Sequence, residues 1–245
     1  MNRNHFLKLS SISTIALAAF PYLILGKNDS TIFTSDELIG KGTPDLYGKG
    51  FKLRKDAFEA FLKMKKDAQS SGIELKVVSS YRDFEHQNSI WTRKYKKYVA
   101  EGLTPEQCLK KIIEYSTIPG SSRHHWATDL DLVDASVQQP KNVLNPSHFD
   151  TEGCFWKFKK WMDDNANSYG FYLVYTNNVE RKGFKYEPWH YSFKPLSVNY
   201  LKAFKQLNLT EILRNESILG KEYFSNEFLD SYFQDNVLDI NPELL

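Results

Sequence analysis

The 245 residues, 41% apolar, 15% aromatic and 25% charged, have the mix of a globular chain with room for one well-buried domain and an appendage, which excludes wholesale disorder and two large domains. Lys and Arg number 32 against 30 Asp and Glu, so the net charge of +2 offers no electrostatic footprint for nucleic acid, and specificity has to come from a local site. Cys108 and Cys154 are enough for one disulfide or none and lack the paired spacing of a thiolate zinc site; their helical surroundings favour two small buried hydrophobes.

In chain order, a short basic start (Arg3, Lys8) runs into an uncharged apolar stretch, Leu9 to Gly26, before polar Lys27 and Asn28. That order of regions predicts an export signal or an uncleaved membrane anchor over residues 1–27, and an exported, cell-envelope location. Residues 28–50, rich in Gly, Ser, Thr, Asp and Pro, read as a linker or irregular lead-in. From Phe51 a folded domain is expected. Leu53, Ala57, Phe61, Met64 and Ala68 recur at helical spacing and stop at Gly72; Ile73 to Ser79 then reads as a strand. A second helix carries Phe84, Gln87, Trp91 and Tyr95, and a third opens at Thr104 with Pro105 and Gln107 completing a capping box, the two bracketing one face of a site. After a turn-rich loop from Ile118 to Ser122, Leu130, Leu132 and Val133 suggest a strand. Thr151 is placed to cap a helix with Phe155, Phe158 and Met162, ending near Gly170 ahead of the apolar run Phe171 to Tyr175, and Trp189 to Phe193 is the next strand. Interspersed helices and strands on short connections predict an α+β domain with a small antiparallel sheet over 51–195. A helical extension over 196–245 follows, its apolar faces (Leu201, Phe204 and Leu207; Phe224, Phe228, Leu229 and Tyr232) packing by default on that domain.

Among six histidines, His124 and His125 in SSRHHWATDLD and His190 in YEPWHY sit beside other potential ligands. Hydrolytic zinc requires three nitrogen or oxygen ligands, one open position for water, and a carboxylate to take that water's proton. His124, Asp131 and His190 supply the ligands, and Glu187, three residues before His190 with Pro188 between them, supplies the carboxylate on a bend. Asp129 competes with Asp131, because residues two apart on a strand share a face; the other use for Asp129 is to hold the free nitrogen of a ligand histidine. His86, His125 and His148 lack such support and read as ordinary polar groups.

Ser122, His124 and Asp131 match a Ser-x-His-x-x-Gly-x-Ala-x-Asp motif, Glu187 to Tyr191 match Glu-Pro-Trp-His-Tyr, and Ser79-Ser80-Tyr81-Arg82 followed by Gln87 matches a third landmark, all in one order. On these motifs, spanning about Ser79 to Tyr191, the chain resembles the zinc D,D-carboxypeptidases of the VanY type, within the wider set that includes L,D-carboxypeptidases, phage endopeptidases and the hedgehog signalling domain. Ala127 and Asp129 depart from the pattern, standing where it has Gly and Ala. The resemblance implies a hedgehog-like, D-Ala-D-Ala-peptidase fold, zinc as cofactor, a peptidoglycan stem peptide ending in D-Ala as partner, Glu187 and Arg82 as catalytic groups, and Ser122, Gln87 and Tyr191 as substrate-orienting ones. Arg82 offers a planar fork for a terminal carboxylate or an oxyanion. The alternatives are an L,D-carboxypeptidase or endopeptidase on the same scaffold, and a zinc-bearing wall-binding module that does not hydrolyse; a pure binder has no use for Glu187.

Overall fold

The computed structural model describes residues 23–25 and 32–245. The segment expected as signal or anchor therefore lies outside the described residues, except for β1 (Leu23–Leu25), which pairs antiparallel with β2 (Ile32–Thr34). Among the described residues no helix is long and apolar enough to cross a membrane.

Residues 32–50 differ from the expected lead-in, because they carry apolar groups that need burial. Thr34 caps the short helix α1 (Ser35–Leu38) by accepting from the Glu37 amide at 3.1 Å, and Phe33, Leu38 and Ile39 are buried. The Trp126 indole donates to the Leu38 carbonyl at 3.1 Å, and Arg54 pairs with Glu37, so the segment is tied to the site loop and to the next helix.

The predicted apolar face of α2 (Lys55–Ser70) is buried at Ala57, Phe61, Met64 and Ala68. Truncating fully buried Phe61 to Ala would cost about 3–5 kcal/mol. β3 (Leu75–Ser79) leads to α3 (Phe84–Ala100), capped by Asp83, and α4 (Pro105–Ile112) carries the capping box with both of its bonds made. After the loop come β4 (Asp129–Asp134), α5 (Trp156–Asn165), β5 (Phe171–Leu173) and β6 (His190–Phe193). Thr151 caps nothing: α5 begins at Trp156 behind Phe155, without a side-chain cap. Cys108 is buried but Cys154 is exposed, in the turns before α5, and the two remain thiols, so only one of them is the expected buried hydrophobe.

Apart from the β1–β2 pair, the strands form one antiparallel sheet in the order β3-β4-β6-β5. Its composition alternates with the pleat. Leu130, Leu132, Tyr191 and Phe193 join Phe61, Met64 and Phe158 in a core beneath α2 and α5. Asp129, Asp131, His190 and Ser192 take the opposite face, and each is also buried. That polar face is roofed by the second core, built from α3, α4 and the helices α6 (Lys194–Phe204), α7 (Leu209–Asn215) and α8 (Asn226–Tyr232). Residues 196–245 thus pack on the rest of the chain: Phe204, Leu213, Tyr232 and Leu244 share a core with Trp91, Leu109 and Trp126.

Candidate metal centre

Three local devices bring the motif residues together. In the β4–β6 ladder, Asp131 pairs with His190 and Asp129 with Ser192, so the two motifs meet by strand register. Glu187-Pro188-Trp189-His190 forms a turn closed by the His190 amide donating to the Glu187 carbonyl at 3.1 Å, with Pro at the position its fixed φ suits. This turn sets the Glu187 carboxylate 3.1 Å from His190 Nδ1. Finally, Ser122 caps a single 3-10 turn, Arg123–Trp126, accepting from the His124 amide at 3.3 Å, and Ala127 ends that turn in the left-handed region at φ 58°. Ala127 is the only non-glycine with positive φ among the described residues, at the position where the resembled motif has Gly.

His124 Nδ1 lies 2.8 Å from the Ser80 carbonyl, which only accepts, so that nitrogen carries the proton and Nε2 presents its lone pair. A register shift between Val77 and Ser79 re-aims β3 just ahead of this carbonyl. His124 Nε2 faces Asp131 Oδ2 at 3.5 Å, His190 Nδ1 faces Asp131 Oδ1 at 3.7 Å, and the imidazole centroids are 4.7 Å apart. One donor atom from each of His124, Asp131 and His190 lies within 4.8 Å of the others, all three residues being buried. Asp131 Oδ1 is a buried oxygen without a hydrogen-bond partner. Burial, reinforced by the Arg82 charge, pushes His124 down to about 4, so a neutral lone pair confronts a carboxylate. A cation among these atoms resolves both the confrontation and the orphaned oxygen, and two imidazoles with one carboxylate are a donor set that suits zinc.

Asp129 is differently employed. Its Oδ1 accepts from Arg123 Nε at 2.9 Å and from His190 Nε2 at 3.0 Å, and its Oδ2 accepts from the Thr128 and Ser192 hydroxyls at 2.6 and 2.9 Å. No oxygen of Asp129 is left for a metal. Burial opposes its charge, but Arg123, stacked on Trp126 at 4.8 Å, holds the carboxyl well below its usual range. Burial likewise disfavours charge on His190, yet its bonds to Asp129 and Glu187 push it up to about 9. Burial raises Glu187 above the ordinary carboxylate range.

A cavity of about 580 Å³ opens over this cluster, lined by Arg82, Ser122, His124, Asp131, Glu187 and His190, with Lys94 and Tyr175 among its other walls. Arg82 and Ser122 thus both line the cavity. Gln87 stands behind the wall: fully buried, it accepts from Arg82 Nη1 at 2.7 Å and donates to the Thr117 carbonyl at 2.9 Å, fixing the guanidinium instead of meeting a ligand. Tyr191 is not brought to the cavity, since strand alternation next to His190 sends it into the core on the other face. His125 is a buried structural histidine, its Nδ1 donating to the Arg82 carbonyl at 2.6 Å and its Nε2 accepting from the Gly120 amide at 3.1 Å. Arg123, Ser192, Tyr175 and Lys94 escape the sequence reading. Ser192 stands opposite Asp129 and is found once β4 is paired with β6, whereas Arg123 reaches Asp129 from the 3-10 turn before β4; Tyr175, edge-on to His190 at 5.1 Å between centroids, sits beyond β5 without a local signal.

The chain is 32% identical over 139 residues to a putative carboxypeptidase, YodJ, of Bacillus subtilis, covering 56% of this chain and 45% of that protein. It is 29% identical over 181 residues to a D-alanyl-D-alanine carboxypeptidase of Enterococcus faecium, covering 73% and 48%. It therefore spans about half the length of these two relatives. A solved structure of VanYB in complex with D-alanine-D-alanine superposes with a TM-score of 0.53 at 22% identity, covering 72% of this chain and 92% of that one, and shares the fold. The VanY family model, described as D-alanyl-D-alanine carboxypeptidase, matches residues 50–196, which include every motif residue above, and the chain belongs to that family.

Proposed function

We propose that the protein is a zinc-dependent carboxypeptidase that removes the terminal D-Ala from peptidoglycan stem peptides, with His124, Asp131 and His190 as ligands and Glu187 as general base. The observation that carries this reading is the buried triad with its unsatisfied Asp131 oxygen, set beside a carboxylate that belongs to the same turn as His190. Asp131 is preferred to Asp129 because the latter's oxygens already accept four hydrogen bonds. Zinc, when bound, supplies an acidified water and a Lewis acid for the scissile carbonyl.

The chain's own residues do the rest. Glu187, raised by burial toward the working range of a base, takes the proton of the attacking water and passes it to the leaving amine. Asp129, itself held by Arg123, Thr128 and Ser192, fixes the His190 ring through Nε2, leaving Nδ1 for the metal. Arg82, locked by Gln87, presents a cation whose Nε has no partner, suited to an anionic group of the substrate. Ser122 orients His124 through its amide and faces the cavity, where it also orients the peptide. An exported, envelope-facing enzyme, anchored or released, would meet such a substrate.

Incubation with defined pentapeptide, tetrapeptide and tripeptide stems, followed by mass spectrometry, tests the reading. Loss of one D-Ala from the pentapeptide alone is expected. Trimming of the tetrapeptide would move the assignment to an L,D-carboxypeptidase, release of internal fragments to an endopeptidase, and no cleavage with tight binding to a wall-binding module.

A further inference from the structure

Helix α3 presents His86, Ile90 and Lys94 to the cavity at four-residue intervals, one stripe of a helix lying along the wall next to Arg82. Lys94 is the unusual member. Its stem is half-buried, yet no carboxylate among the described residues pairs with the ammonium, whose hydrogen bond goes to the neutral Ser116 hydroxyl at 2.5 Å. Ser116 lines the same cavity. Arg82, the other free cation of this wall, likewise leans on a neutral partner, Gln87 Oε1, and its buried Nε has none. The third cation of the cavity, Arg123, is committed to Asp129.

Lys94 and Arg82 line one cavity with the carboxylates of Asp131 and Glu187, and each of the two cations makes its hydrogen bond to a neutral partner. Half-burying cations without a directly paired counter-charge is costly, and an anion that enters and pairs with them recovers part of that cost. The cavity carboxylates act on them without pairing, both on Arg82 and Glu187 on Lys94, since one faces His124 and His190 and the other is bonded to His190. An ammonium is a point charge with rotatable donors, whereas the Arg82 fork is held rigid by Gln87, so the two suit different parts of one ligand. Because successive Cα atoms are about 3.8 Å apart, a terminal carboxylate and the peptide bond before it fit within one such cavity.

We infer that Lys94 is a specificity-determining residue that seats the free carboxylate of the residue to be released, leaving Arg82 to serve the reacting carbonyl. This deepens the carboxypeptidase reading and rests on it. Lys94 thereby favours substrates with a free C-terminus over internal peptide bonds, and Ser116 is the positioning residue that holds its ammonium on the wall.

The test compares D-Ala-D-Ala with its C-terminal amide, binding by calorimetry to the zinc-loaded Glu187→Gln protein, in which turnover does not interfere. The free acid is expected to bind more tightly than the amide. Lys94→Met is expected to weaken the acid by roughly ten- to a hundredfold, the worth of one charge-assisted hydrogen bond, leaving amide binding unchanged, with Lys94→Arg restoring part of the loss. In the otherwise unaltered enzyme the same substitution raises KM for a pentapeptide stem more than it lowers kcat. Equal weakening of acid and amide, an unchanged affinity for the acid, or binding of neither dipeptide would overturn the inference. Should Lys94→Met fold poorly by circular dichroism, Lys94→Gln makes the same comparison. If the wild-type zinc protein trims no stem while the acid preference and its loss in Lys94→Met persist, the carboxypeptidase reading falls and the carboxylate seat stands.

Discussion

Asp131 lies directly opposite His190 in the β4–β6 ladder, so two motifs far apart in sequence are joined by a single backbone register. A shift of that register by one residue would exchange Asp131 and His190 for Leu130 and Tyr191, burying apolar groups in the site and charges in the core. The cavity's chemistry is therefore coupled to the apolar core on the far face of the sheet.

The two aspartates of β4 are expected to differ on substitution. Asp131→Ala removes a proposed ligand and should abolish stoichiometric zinc. Asp129→Asn should retain zinc with an affinity about 10–100-fold lower, since the histidine it orients is still present. It also leaves Arg123 buried without its counter-charge, a loss of about 3–5 kcal/mol. Metal titration and denaturant unfolding of both variants separate these effects.

His125 is expected to matter for stability and not for zinc. Its replacement by Ala leaves the Gly120 amide and the Arg82 carbonyl unpaired, and should cost about 2–4 kcal/mol with zinc content unaltered. Burial pushes His125 down to about 3, so below its ordinary value of 6.5 the unfolded chain binds a proton that the folded chain does not. Stability is thus fully present above about pH 6.5 and declines as the pH falls toward 3. The pH slope of the melting temperature should flatten in this window in His125→Asn.

Tyr232 ties the C-terminal helices to the loop before His124. Its hydroxyl accepts from the Ile118 amide at 3.0 Å and shares a 2.7 Å hydrogen bond with the Ser121 hydroxyl. Tyr232→Phe strands a buried amide, and should cost about 1–3 kcal/mol and lower Tm by a few degrees. Differential scanning calorimetry measures the shift, and hydrogen exchange over Ile118 to Ser122 locates it.

Local rules carry the sequence reading a long way. The buried stripe of α2, the capping box of α4 and the bend of Glu187-Pro188-Trp189-His190 are set by residues a few positions apart, and all are legible in the order of the residues alone. What stays hidden depends on pairings across long loops. Ser80 as partner of His124, Arg123 and Ser192 as partners of Asp129, and the packing of Phe33 and Leu38 into the core all follow from register and docking, which no local window contains. Tyr191 shows the opposite error: the motif places it beside the substrate, although a period of two predicts that it faces away from His190.

The most direct test of the central claim is a paired measurement of zinc content and pentapeptide turnover in the wild-type protein and in Glu187→Gln. The account predicts one zinc per chain in both, with turnover in the variant lower by at least about 10²–10⁴, the usual contribution of a general acid–base group. Wild-type turnover without stoichiometric zinc, or near-normal turnover in the zinc-loaded variant, would contradict it.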